Sequence, residues 1–470
     1  MNKLADRKIE TVKKTVAYAV ALITIVCCIL PMANLPIWNG EIPDHRNQYE
    51  LITESILDGR IDFAYGDEAG LETLDNPYDP AERKASGVTY HWDHAYYDGH
   101  YYMYFGIVPV FLAFLPYRVI TGNVLTTFHA TQFFTAIIVA GIFALLWLLS
   151  KLFLKKLHYG LYLALSVAFS AMSVWYASAE PALYCTAITA AIALEVWSIF
   201  FFLWAVYMEK RENRQIFLAG IGALLGALVF GCRPPIAFAN LVVIPLLVVF
   251  LKEHTFSWKL AGKLALAASP YLVVAVALML YNYVRFDNPF EFGQAYQLTV
   301  ADQTSYSLTI DAAQLKRIVK ESVKNFTEFE GVSRRFPFIL TSSVFGNFPI
   351  LLLSVAAFLP SVWKRIRKER LLPLLLGLLA SVLVITAMDV LWSPYLLERY
   401  RMDIYFLMGI GCFPILCLWY EECRRKKMLS LLIYGLSLAT VGFAFLAYFR
   451  TMSIYYPNEV NAIADMLAFF

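Results

Sequence analysis

The sequence predicts an all-α protein that crosses a membrane about eleven times, with a large polar loop between its first two spans. Three observations lead there. Apolar residues make up 59% of the 470 and charged residues only 16%, with a mean hydropathy of +0.58. Apolar runs close to the ~20 residues that a bilayer core requires recur along the chain. Six short segments between alternate spans hold 23 of the 39 lysines and arginines, although the intervening loops are far longer. That asymmetry marks the short segments as cytoplasmic. The length alone would suit two or three soluble domains, but the composition replaces them with one membrane domain over residues 1–470.

The first span, 15–35, follows Lys3, Arg7, Lys8, Lys13 and Lys14, which places the N-terminus in the cytoplasm. It is long enough to span and has no small-residue cleavage pattern, so it is expected to stay as a helix. Residues 36–123 then form an extracytoplasmic loop. Within it the apolar run 108–120 is short and contains Pro109 and Pro116, which predicts an interfacial or re-entrant helix. Spans two to seven fill 124–283, at 124–150, 159–177, 182–207, 216–230, 236–250 and 264–283. The fifth and sixth form a hairpin that turns at Arg233-Pro234-Pro235. A second extracytoplasmic loop covers 284–340. In it Leu315, Ile318, Val319, Val323 and Phe326 recur at helical spacing, Lys316, Lys320 and Lys324 take the other face, and Asp311 is the expected N-cap. Such a helix suits a membrane surface or a lid packed on the bundle. Four last spans, 341–363, 371–390, 404–419 and 428–448, complete residues 341–450 and leave an extracytoplasmic tail at 451–470. All seven cysteines lie in or beside spans, so no disulfide framework is implied.

Polar chemistry is concentrated in the first loop. Residues 40–104 hold 14 Asp or Glu, four Lys or Arg, four of the seven histidines and eleven aromatics. Aromatic faces stack on the C–H surfaces of a sugar while carboxylates accept from its hydroxyls; the alternative is an interfacial tyrosine belt. Asp44 is anchored a few residues beyond the first span, where a carboxylate can act as general base on a hydroxyl; its other reading is the N-cap of the following helix. Asp93 and Asp98, in WDHAYYDGHYY, are the candidates for a second acid, and His45, His94, Tyr97 and Tyr102 for contacts to sugar or acceptor. His91, Asp93 and His94 offer ligands for a divalent cation, at a spacing that matches no strong metal motif; no other cofactor is called for.

Arg233, Arg285, Arg399 and Arg401 stand at span ends, all on the side of the acidic loop. Guanidinium forks there suit a lipid phosphate; the alternative is internal pairing, for example of Arg399 with Asp389 or Asp403. Glu195, inside the fourth span, must face the bundle interior. No Walker loop and no G-x-G-x-x-G opening a helix is present, which argues against a cytoplasmic nucleotide site. The small net charge of +3 says little about partners, and no nucleic acid is expected.

These residues resemble the GT-C superfamily of integral membrane glycosyltransferases, in its bacterial protein-mannosyltransferase-like branch. The likeness rests on an acid soon after the first span (Asp44), the helix ending Ile56-Leu57-Asp58-Gly59-Arg60, the run DGHYYMYFGIVPVFLAFLPYRVITG at 98–122, and the segments YNYVRFDNPFEFG and ERYRMDIYFL. It covers the whole chain in topology through loose motifs. The resemblance implies a polyprenyl-phosphate sugar donor, transfer on the extracytoplasmic face to a glycan, lipid or protein acceptor, a catalytic carboxylate at Asp44, a second acid at Asp93 or Asp98, and arginines on the donor phosphate. His45 stands where a second acid would follow Asp44 in the plainest family pattern, and with no large soluble domain after the last span a single-sugar transferase is expected. Two rivals remain: a flippase or transporter for a lipid-linked saccharide, which the lack of an internal repeat disfavours, and a scaffold without chemistry.

Overall fold

A computed structural model describes residues 48–65, 70–179, 183–304, 310–329, 336, 338, 343–393, 396–455 and 457–467. The expected first span and the segment carrying Asp44 and His45 lie outside the described residues.

Helices are numbered from the first one described. The polar loop opens with α1 (Gln48–Leu57) and α2 (Pro80–Ser86), the latter capped by the Asp79 carboxylate, which accepts from the Ala81 amide. The apolar run at its end folds as a π-turn, Val110–Phe114, leading into α3 (Leu115–Thr121), too short to span a bilayer and closed by Gly122 in the left-handed region. Arg118 of α3 is held by Glu54 of α1 at 2.7 Å, and Glu50 of α1 accepts from the Thr127 amide at 3.0 Å. Together these bonds seat α3 and the start of the next span on α1.

The spans follow: α4 (Thr127–Phe153), α5 (Tyr159–Ala179), α6 (Leu183–Leu203, continued by a π-turn to Met208), α7 (Glu212–Phe230), α8 (Pro234–Glu253, with a 3-10 segment Phe238–Val242) and α9 (Trp258–Phe286). After α10 (Ala312–Thr327) and a bent segment containing α11 (Pro360–Lys368) come α12 (Leu372–Trp392), α13 (Met402–Glu422), α14 (Lys426–Tyr455) and α15 (Pro457–Leu467). The described residues thus contain nine helices long and apolar enough to cross a membrane, and the protein is a multi-pass membrane protein. Helix α6 is the hub: apolar all round, it is almost wholly buried between α4 and α7. Helix α9 is the opposite case, apolar yet almost wholly exposed, resting on α7 by one face.

The structure departs from the expected spans in two places. The run expected to cross at 341–363 is instead a 3-10 helix, Pro349–Phe358, bent by 79° against α11. Pro349 and Pro360 open the two pieces, and an extended Leu359 separates them. Counted as one span, the pair raises the total among described residues to ten. The run at 404–419 belongs to a longer, 21-residue helix, α13.

The loop is also not purely helical. Strands β1 (Ala95–Tyr97) and β2 (His100–Tyr102) form a hairpin in the tyrosine-rich stretch, with Tyr97 opposite His100. Its turn is Asp98-Gly99, both at positive φ (49° and 76°), the pattern of a two-residue hairpin turn. The second loop adds to this hairpin. Ala95 bridges Gln297, the Tyr96 amide donates to the Tyr296 carbonyl at 2.9 Å, and the Leu298 amide to the His94 carbonyl at 2.9 Å. The buried Arg83 strengthens the seam by donating to the Pro77 and Thr299 carbonyls, each at 2.6 Å. Two loops some two hundred residues apart in sequence are thereby one body.

Candidate functional site

Where that body meets the ends of α6, α8, α9 and α12 there is a cavity of about 300 Å³. Of the residues singled out in the sequence, Asp93, Arg233, Arg285 and Arg399 line it. Asp98, Arg401, His94, Tyr97 and Tyr102 do not.

Asp93 precedes the hairpin with φ 56°, a left-handed conformation that Asp tolerates better than most side chains. Its carboxylate is buried and received from both sides: the Tyr184 hydroxyl donates to Oδ2, and Gln297 Nε2 donates to Oδ1 at 3.2 Å. Gln48 of α1 donates to its carbonyl at 2.8 Å. Arg399 lies on the other side of the same tyrosine, its guanidinium 4.1 Å from the Tyr184 ring centre and 5.6 Å from that of Tyr400. No carboxylate among the described residues is within ion-pair distance of it. Tyr184 thus stands between the Asp93 carboxyl group and the Arg399 guanidinium, which face one space.

The other two arginines are held differently. Arg285 is buried at the end of α9, donates to the Met103 carbonyl and to Asn282 Oδ1 (2.7 Å each), and sits 3.9 Å from the Tyr281 ring centre. Its Nε has no partner among the described residues. Arg233, in the turn between α7 and α8, donates through Nε to Asp403 at 2.6 Å and lies 3.8 Å from Asp389. Burial works against its charge, yet the two carboxylates hold its pKa above the usual arginine value. The acids weighed as partners of Arg399 are therefore engaged by Arg233, and its positive charge is already matched inside the protein.

The remaining sequence candidates have other surroundings. Asp98 is exposed at the hairpin turn, where its backbone conformation is what the turn requires. Arg401 donates to Asn325 of α10 at 3.0 Å. Tyr97 and Tyr102 pack on Phe286, and Tyr97 also on Tyr296, in a small aromatic cluster beside the hairpin. His94 is boxed in, with Nδ1 at 2.8 Å from the Trp92 carbonyl and Nε2 at 2.8 Å from the Tyr65 hydroxyl. Both ring nitrogens are thus in use, and among the described residues no group of three or more His, Cys, Asp or Glu is placed to hold a metal ion.

Sequence reasoning missed Tyr184, Tyr104, Trp392 and the glutamines of the second loop, all of which face or brace the cavity. Burial pushes the Tyr104 phenol up to about 12, so it stays protonated at neutral pH, and Trp392 Nε1 donates to its oxygen at 3.2 Å. The one local signal for part of this constellation was Asp98-Gly99 between two tyrosine pairs, which marks a hairpin and so fixes where Asp93 emerges.

No protein-family model and no curated protein sequence matches the chain. Two solved structures resemble it in fold. The apo crystal structure of the Archaeoglobus fulgidus oligosaccharyltransferase aligns with a TM-score of 0.47 and 12% identity over 92% of this chain and 56% of that one. ArnT from Cupriavidus metallidurans, bound to undecaprenyl phosphate, aligns with a TM-score of 0.46 and 13% identity over 96% of this chain and 78% of that one. This chain spans little more than half the length of the oligosaccharyltransferase. At such identities and scores neither likeness assigns it an activity.

Proposed function

We propose that this protein is a membrane glycosyltransferase of the GT-C type, which moves a sugar from a polyprenyl-phosphate carrier to an acceptor hydroxyl at the extracytoplasmic face, with inversion. The observation that carries the reading is the pairing across Tyr184: a carboxyl group, Asp93, and an arginine with no carboxylate within ion-pair distance among the described residues, Arg399, open into one cavity. A phosphosugar needs that combination, acceptors for its hydroxyls and a cation for its phosphate.

In the proposed reaction Asp44 takes the proton from the acceptor hydroxyl, whose oxygen attacks the anomeric carbon. The bond from that carbon to the phosphate oxygen breaks, and polyprenyl phosphate leaves carrying the negative charge. Arg399, with the Arg285 guanidinium at the cavity wall, stabilises that charge as it develops. Asp93 orients the sugar by accepting from its hydroxyls. Tyr104, a neutral phenol whose oxygen already accepts from Trp392, has its own proton to donate to the substrate.

The test is a panel of polyprenyl-phosphate sugars, isotope-labelled in the sugar, offered to the protein in proteoliposomes. Label fixed covalently to an acceptor is the expected result, and it is lost in Asp44→Asn while that variant stays folded and inserted. Label that only crosses the bilayer identifies a transporter instead, and full transfer by Asp44→Asn removes Asp44 from the mechanism.

A further inference from the structure

Three glutamine side chains of the second loop join end to end along the cavity wall, which Gln297 and Gln303 line. Gln294 Nε2 donates to the Trp392 carbonyl at 2.9 Å and to Gln303 Oε1 at 3.0 Å. Gln303 Nε2 donates to Gln297 Oε1 at 2.8 Å, and Gln297 Nε2 donates to Asp93 Oδ1 at 3.2 Å. The circuit closes through the first loop: Trp392 Nε1 to the Tyr104 oxygen, the Tyr104 amide to Gln48 Oε1 at 3.4 Å, and Gln48 Nε2 to the Asp93 carbonyl.

The polarity of the relay is dictated by its two ends. The Trp392 carbonyl can only accept, and the Asp93 carboxyl group accepts from the Tyr184 hydroxyl on one oxygen and from Gln297 on the other, so Gln294 and Gln297 each present Nε2 to them. Gln297 then has only Oε1 for Gln303, which must donate, and the Oε1 of Gln303 is left to receive from Gln294. Each amide turns its positive end towards Asp93, and bonds aligned in this way polarise one another. The relay is not what fastens the loop. Backbone bonds from Asp93 to Leu298 (3.0 Å) and from Leu298 to His94 (2.9 Å), the Arg83–Thr299 bond (2.6 Å) and the Asn76–Asp302 bond (2.8 Å) do that without it. Gln297 and Gln303 are nonetheless buried. Burying amides at positions where apolar side chains would serve as packing points to a purpose in the bonds themselves.

We propose that Gln294, Gln303 and Gln297 are positioning residues, a polarised relay that fixes the orientation of the Asp93 carboxylate for the transfer reaction. The proposal rests on the reading of Asp93 given above. Gln303→Leu cuts the relay in the middle and frees Gln297 to rotate. Gln303→Glu keeps the shape but accepts only, so Gln297 must turn Nε2 to it and present Oε1 to Asp93, acceptor against acceptor.

The experiment has two readouts. The first is the infrared carboxylate band of Asp93, isolated as the difference between the natural protein and Asp93→Asn, and recorded again in a Gln303→Leu background. A shifted band is expected, larger still with Gln303→Glu; an unmoved band in both overturns the relay. The second is steady-state transfer with the donor found in the panel: Gln303→Leu is expected to lower kcat about tenfold with the donor KM within about twofold, as for a misoriented reacting group. In an Asp93→Asn background the same substitution should cost nothing further. Gln294→Leu, at the half-buried end, is the milder cut should Gln303 variants fold poorly, and it should shift both readouts in the same direction. If the band moves while Asp93→Asn keeps full transfer, the relay stands and the role of Asp93 falls. If Asp93→Asn is inactive while every glutamine variant keeps its band and kcat, the relay falls alone.

Discussion

Arg399 and Arg233 are separated by what already surrounds them. Arg399 lies on aromatic faces with no carboxylate within ion-pair distance among the described residues, so its charge is available to a ligand. Arg399→Ala is therefore expected to raise the donor KM by roughly 10- to 100-fold, the ~1.5–3 kcal/mol of a hydrogen bond to a charged group, with the melting temperature unchanged. Initial rates and a melting curve in detergent check both halves. Arg233→Ala should do the reverse kind of damage. It strands two buried carboxylates, Asp403 and Asp389, at a cost of ~3–5 kcal/mol, and should appear first as a lower melting temperature. Neither difference could be read from the sequence. Arg233 and Asp403 lie 170 positions apart, and no local pattern reveals which of four arginines two distant aspartates will choose.

At the level of elements, the spans were legible because their cause is local: an apolar run near ~20 residues with basic flanks has few alternatives. The same holds for α10, whose capping Asp311 and spacing both appear as expected, the carboxylate accepting from the Gln314 amide at 2.7 Å. The hairpin was overlooked because the tyrosines of 96–104 suit a sugar surface or a membrane belt, although Asp98-Gly99 held the turn signal. The break before α11 had its signal too, in Pro349 and Pro360. What had none is the seam between the loops, since strand partners two hundred residues apart leave no trace in either strand. The seam yields a prediction. Arg83→Ala removes two short bonds from the seam, so hydrogen exchange in 294–304 should rise well above that of α6 while insertion is unaffected. A second concerns the approach of the loop to the bundle. A methyl group on Gly106 would fall on the backbone carbonyls of Gly231 and Cys232, which cannot swing aside. Gly106→Ala should cost about 1–3 kcal/mol and pull the 106–108 stretch off the α7–α8 turn, seen as lost transfer in a protein that still inserts.

For the molecule as a whole, we propose from the distribution of basic residues that the cavity lies outside the cytoplasm. A membrane-impermeant maleimide on intact cells should label a single cysteine placed at the exposed Asp98 and spare one placed at the exposed Arg211, in a background without other cysteines; the opposite pattern inverts the topology. The stitched loops also set a timetable for biogenesis. Ala95 leaves the ribosome about two hundred residues before its partner Gln297, an interval of roughly 10–40 s at ~5–20 residues per second. Through that interval the hairpin has one edge open and Asp93 lacks its glutamine donor, so the nascent first loop is a client in waiting, exposed to proteases and quality-control factors until α9 has been threaded into the bilayer. Ribosome-bound chains that stop before residue 290 should be cut in that loop, and chains that continue past 304 should not.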